Sequence, residues 1–265
     1  TKLEEIATVS NNAQALNKVM DKLEQFINHA DSVENSDNYR QADDDKIIAY
    51  DEALEHGQDI QKTNATQNET KQALQQLIYA ETSLNGFERL NHARPRALEY
   101  IKSLEKINNA QKSALEDKVT QSHDLLELEH IVNEGTNLND IMGELANAIV
   151  NNYAPTKASI NYINADNLRK DNFTQAINNA RDALNKTQGQ NLDFNAIDTF
   201  KDDIFKTKDA LNGIERLTAA KSKAEKLIDS LKFINKAQFT HANDEIMNTN
   251  SIAQLSRIVN QAFDL

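Results

Sequence analysis

The side chains best spaced for chemistry lie between His123 and Glu134. Glu127-Leu128-Glu129-His130 is a Glu-x-x-His step. On a helix it sets Glu127 and His130 one turn apart, with His123 and Glu134 on the same face. Di-iron sites in helical bundles use this step, but they need two of them and two further inward carboxylates. Only one occurs, and the equivalent positions of a second sequence copy, described below, hold Gln254 and Arg257. The cluster therefore reads as a solvated polar face. The run Asp43-Asp44-Asp45 carries charge suited to calcium, yet it lacks the Gly and terminal Glu of an EF-hand loop. Its counterpart is Asp166-Asn167-Leu168, so only the first Asp recurs. Carboxylates at a helix start are explained by the helix dipole.

No Ser–His–Asp arrangement, phosphate-cradling loop or dinucleotide fingerprint is present. Acidic pairs fall on helical surfaces with no implied pocket, which leaves a glycosidase arrangement unsupported. His29, His56, His92 and His123 are scattered and face Ala or polar residues, while Tyr and Phe fall mainly on apolar stripes. No catalytic, cofactor-binding, metal or ligand-binding residue is assigned, and the chain is expected not to be an enzyme.

The elements beneath these residues are helical. The 265 residues include no Cys, 2 Pro and 6 Gly, a scarcity that disfavours a turn-rich β chain. Without Cys there is no disulfide framework, thiolate chemistry or Cys-ligated metal. With 29 basic and 41 acidic residues, the net charge of −12 argues against nucleic acid or an anionic bilayer as partner. No apolar run approaches the roughly 20 residues that span a bilayer. Both ends read as interior to a longer polypeptide, with no signal segment at Thr1 and no stop at Leu265.

A repeat organises the chain. Leu84-Asn85-Gly86-Phe87-Glu88-Arg89-Leu90 returns 127 residues later as Leu211-Asn212-Gly213-Ile214-Glu215-Arg216-Leu217. Ile107-Asn108-Asn109-Ala110-Gln111 and Ile131-Val132-Asn133 return at the same offset, as Ile234-Asn235-Lys236-Ala237-Gln238 and Ile258-Val259-Asn260. Asn38-Tyr39 with Ala42-Asp43 matches Asn161-Tyr162 with Ala165-Asp166, and Lys62-Thr63 matches Lys186-Thr187. One stripe runs Tyr39, Ala42, Ile47, Tyr50, Leu54 and Ile60, with Ser36 as N-cap and Ser159 in the same place later. A second, Ala73, Leu77, Ala80 and Leu84, is predicted to stop at Asn85-Gly86. A third holds Leu90, Ala93, Ala97, Ile101 and Leu104, where Pro95 is expected to kink the helix or reset its start. A fourth follows Asn108-Asn109, through Ala110, Leu115 and Val119.

Leu128, Ile131, Leu138, Met142, Leu145 and Ile149 predict one helix over Leu125–Asn152, weakened but not broken by Gly135 and Gly143. At 1.5 Å per residue it spans roughly 40 Å, long enough to serve two bundles in succession. Two further helices are expected to start near Ser159 and Asn191. Val9, Leu16, Met20, Leu23 and Ile27 form the matching piece of a preceding joint. The fold class predicted is all-α: tandem three-helix bundles joined by long shared helices into an elongated rod on the order of 120 Å.

Asn38-Tyr39…Ala42-Asp43…Tyr50…Lys62-Thr63 with Leu84-Asn85-Gly86 resembles a FIVAR module. Leu90…Ala93…Ile107-Asn108-Asn109-Ala110-Gln111…Ile131-Val132-Asn133 resembles a GA module. Their alternation is similar to the staphylococcal family of giant extracellular matrix-binding cell-wall proteins. The boundaries are then 1–13 for the end of a preceding GA-like helix, 14–85 FIVAR-like, 86–137 GA-like, 138–212 FIVAR-like and 213–265 GA-like. The resemblance implies a monomeric rod on a bacterial cell wall that binds fibronectin or another host matrix protein, with a plain stalk as the alternative. It implies neither nucleic-acid binding nor membrane insertion. GA modules elsewhere bind albumin through their second and third helices, here near Gln111 to Val132 and Gln238 to Val259. Lys112, Ala114 and Glu127 of the first copy stand against Phe239, His241 and Gln254 of the second. No albumin-contact residue is carried over.

Overall fold

The computed structural model describes residues 1–264 and is helical, with no strand among the described residues. The chain divides into two compact units: Thr1–Ser103 with Leu115–Asn133, and Leu104–Ala114 with Glu134 onward. Helices α6 (Asn109–Gln121) and α7 (Leu125–Ala158) straddle the division.

In the first unit α1 (Lys2–Glu34), α3 (Asp44–Gln61) and α4 (Gln67–Ser83) pack on one another. Their shared core holds Leu23, Val33, Tyr50, Leu54, Leu74 and Leu77, all buried. Helix α4 starts where Thr66 and Glu69 form a capping box: Glu69 Oε2 accepts from the Thr66 amide at 2.7 Å, and Thr66 Oγ1 accepts from the Glu69 amide at 3.3 Å.

The stripe read from Tyr39 to Ile60 is not one helix. Ser36 does act as a cap, accepting from the Tyr39 amide at 3.2 Å, but the helix it opens, α2 (Asp37–Arg40), lasts four residues. The chain then turns, and α3 begins afresh at the Asp43 cap, with Asp44 and Asp45 in its first turn. The five-residue step from Ala42 to Ile47 marks the break, because no helical face accommodates it. Tyr39 stays beside Tyr50, edge to face at 5.7 Å between centroids.

In the second unit α8 (Ile160–Asn164), α9 (Asn167–Ala183) and α10 (Phe194–Asp209) accompany the later part of α7. Leu145, Phe173, Ile177, Ile197 and Ile204 are fully buried there. Helix α8 is capped by Ser159 as expected. Helix α10 starts three residues beyond Asn191, where Asp193 Oδ1 accepts from the Ala196 amide at 2.8 Å. Then α11 (Gly213–Asp229), α12 (Lys236–Asn248) and α13 (Ile252–Phe263) form a three-helix bundle about Leu217, Ala224, Ile228, Ile246 and Leu255.

Pro95 does not reset the start of its helix. Helix α5 (Gly86–Ser103) runs through Pro95 without interruption, and α7 passes Pro155 to end six residues beyond Asn152. The 34 residues of α7 correspond to roughly 50 Å.

Candidate functional site

The residues singled out for metal chemistry are not brought together; among the described residues no group of three His, Cys, Asp or Glu could hold an ion. His123 Nδ1 instead lies 2.7 Å from Asp37 Oδ2. Asp43 is drawn into a different task, one that sequence reasoning missed.

Its backbone amide donates to Asn85 Oδ1 at 3.0 Å, and Asn85 Nδ2 donates back to Asp43 Oδ2 at 2.7 Å. Arg89 Nε lies 3.2 Å from Asp43 Oδ1, while its Nη1 donates to the carbonyls of Gln41 and Ala42 at 2.8 and 2.9 Å. Asn38 Oδ1 accepts from the Phe87 amide at 3.1 Å, capturing an open donor in the first turn of α5. Asn85-Gly86 is therefore not a left-handed helix stop, and no glycine here has positive φ. Gly86 opens α5, and its missing Cβ makes room: a methyl there would lie 2.4 Å from the Asn38 carbonyl oxygen.

The second copy repeats this clamp. Asn212 exchanges hydrogen bonds with Asp166 at 3.1 and 2.7 Å, and Arg216 Nε lies 3.1 Å from Asp166. Asn161 Oδ1 accepts from the Ile214 amide at 3.0 Å, and a Gly213 methyl would collide with the Asn161 carbonyl. A second staple accompanies it. Gln41 Oε1 accepts from the Leu125 amide at 2.9 Å, and Gln41 Nε2 donates to Asp124 Oδ2 at 3.1 Å. In the later copy Asn164 Oδ1 accepts from the Ile252 amide, and its Nδ2 donates to the Asn250 carbonyl, both at 2.9 Å. Asp124 also caps α7, and the Glu127 amide it accepts holds its carboxyl below the ordinary value.

This constellation is a network of hydrogen bonds and ion pairs. Its polar groups are consumed by one another, and no buried side-chain polar atom among the described residues lacks a partner. It fixes one helical module on the next. On the faces suggested by GA modules, Gln111 is buried, Phe239 packs against the α11–α13 core, and Gln254 Oε1 accepts from Thr249 Oγ1 at 2.6 Å.

Known modules divide the chain along this pattern. The FIVAR domain model matches residues 19–85 and 142–212, and the GA module model matches 87–141 and 214–265. The chain belongs to the FIVAR–GA module family. The clamp thus joins each FIVAR match to the GA match after it. Across all 265 residues the chain is 37% identical to the extracellular matrix-binding protein EbhA of Staphylococcus aureus strain Newman and to ebh of strain NCTC 8325, spanning 8% and 3% of those proteins. The crystal structure of EbhA domain 756–1003 from Staphylococcus aureus matches with TM-score 0.86 and 27% identity, covering 92% of this chain and 98% of that one. No helix among the described residues is long and apolar enough to cross a membrane.

Proposed function

We propose that this FIVAR–GA chain is a repeat segment of a bacterial adhesin carried on the cell wall, with modules at 14–85, 86–137, 138–212 and 213–265. It extends the protein outward as a rod and meets host matrix protein, fibronectin foremost, through weak contacts summed over many copies. The observation that carries this reading is the duplicated clamp: Asp43–Asn85–Arg89 and Asp166–Asn212–Arg216 recur, whereas Lys112 and Ala114 of α6 give way to Phe239 and His241 of α12. What is kept between copies serves connection, as an array needs. Multivalency then raises avidity 10²- to 10⁴-fold without a strong single site. No enzymatic role is assigned.

The same contrast favours a second reading, a stalk that sets reach and binds nothing itself. Immobilised fibronectin and albumin, tested with this chain and with a longer array, separate the two. Binding to fibronectin that climbs steeply with copy number supports the adhesin; no binding by either protein leaves the stalk.

A further inference from the structure

Asn108 and Gln111 open α6 with a reciprocal box: the Asn108 amide donates to Gln111 Oε1, and the Gln111 amide to Asn108 Oδ1, each at 2.9 Å. The box uses both side-chain oxygens and leaves two NH₂ groups pointing outward. In the second unit they are taken by the end of α9 and the ten-residue connection between α9 and α10. Asn108 Nδ2 donates to the Gln190 and Ala183 carbonyls at 2.9 and 3.3 Å, and Gln111 Nε2 to the Leu192 carbonyl at 2.9 Å. The approach depends on Gly189, where a methyl would lie 2.6 Å from Asn108 Nδ2. Beside it, Lys106 lies over Gly143, within 2.6 Å of where a methyl would be. Ile107, Asn108 and Gln111 are fully buried.

The box recurs at Asn235 and Gln238, with hydrogen bonds of 2.9 and 3.0 Å. Here the two NH₂ groups have no partner among the described residues, Asn235 is exposed, and Phe233, in the place of Lys106, is 99% exposed. It is the surface that the α9–α10 connection covers at the start of α6, left open here.

We propose that the Leu231–Gln238 face docks a further FIVAR module of the second kind, the one proposed at 138–212, and discriminates against the first kind. This rests on the repeat-array reading above. The second kind supplies the long Gly-containing loop whose carbonyls both amides reach, and Gly143, which leaves space for the Phe233 ring. In the first kind the α3–α4 connection has five residues and no Gly, and Asp21 stands in the place of Gly143, setting a charge against Phe233. The face thus selects which module follows.

The test extends the chain after Leu265, in the 127-residue register, with Asn139–Leu211, or alternatively with Asn17–Leu84. Asn235→Asp and Gln238→Glu keep the capping oxygens and remove the NH₂ donors. Both should leave the melting temperature of the parent chain unchanged and lower that of the Asn139–Leu211 extension by about 2–4 °C per lost bond. The Asn17–Leu84 extension should not respond. Hydrogen exchange at Asn235 and Phe233 should slow only in the first extension. Equal responses in both extensions, or none in the first, overturn the proposal. Asn108→Asp in the parent chain is the control, and an unchanged melting temperature there overturns the premise. Docking can fail in this way while fibronectin binding by arrays persists, so the two readings fall separately.

Discussion

Asn85 and Asp43 hold each other through two hydrogen bonds, 3.0 Å from backbone to side chain and 2.7 Å between side chains, and Asn212 and Asp166 do the same 46 residues apart. Both bonds need an amide: its oxygen accepts from the Asp43 N–H and its nitrogen donates to the carboxylate. Asn85→Asp keeps the shape and places two carboxylates in contact. It should cost about 1–3 kcal/mol at neutral pH and recover part of that in acid, as one carboxyl protonates. Urea denaturation at pH 7 and pH 4 reads both effects; equal losses at the two pH values would show that charge is not the cause.

Gly86 lies in a helix with ordinary backbone angles, so propensity alone predicts that Gly86→Ala gains up to about 1 kcal/mol. The Asn38 carbonyl at 2.4 Å from the new methyl reverses the sign. Overpacking against backbone should cost about 1–3 kcal/mol, at Gly213 as at Gly86. Gly57→Ala is the comparison, since the atom met there is the end of the Leu23 side chain at 3.2 Å, which can move. Thermal melts that rank Gly57→Ala as the most harmful would refute the steric account.

Asp124 caps α7 and accepts from Gln41, and its carboxyl is held below the ordinary carboxylate value, first by the Glu127 amide. A depressed folded value means that the stabilisation is present above the unfolded value and is lost as pH falls through the folded one. Asp124→Asn retains a capping oxygen but removes the titration. Its stability should therefore fall less steeply than wild type below about pH 4, whereas Asp124→Ala should lose about 1 kcal/mol already at pH 7.

Burial, and then the hydrogen bond it donates to Asp51 at 2.7 Å, push the Tyr39 hydroxyl up to about 12. A raised value favours the neutral phenol, so its contribution is complete below the unfolded value near 10 and disappears as pH rises through the folded one. Absorbance titration of the native chain should show a late-ionising phenol that Tyr39→Phe deletes. If the deleted step lies near pH 10, neither the burial nor the Asp51 contact of Tyr39 persists in solution.

Much of this was legible in residue order. The apolar stripes located the helices, and the long α7 was readable because Gly135 and Gly143 lie in an otherwise unbroken pattern. The clamp was visible only as a recurrence: Leu-Asn-Gly with Arg three residues on, and Asn-Tyr with Ala-Asp upstream. Its meaning was hidden because Asn-Gly ordinarily ends a helix through positive φ, and only the approach of the Asn38 carbonyl shows why glycine is needed. Pro95 misled for the converse reason, since a proline's local preference says nothing of the packing that holds a helix through it. The lone Glu-x-x-His step carried no partner because its second half was never duplicated.

Helix α1 carries two apolar stretches with opposite prospects. Leu23 is fully buried among α3 and α4, while Leu3, Ile6 and Val9 are 80%, 65% and 67% exposed near its start. Leu23→Ala removes a side chain whose cavity cannot collapse cheaply and should cost about 2–5 kcal/mol. Ile6→Ala removes nothing that packs, and alanine is the better helix former, so stability should stay within about 0.5 kcal/mol. The sequence pattern is the same in both stretches; burial separates them. Urea melts of the two variants decide the matter, and a loss at Ile6 approaching that at Leu23 would mean that the first turns of α1 are covered in solution.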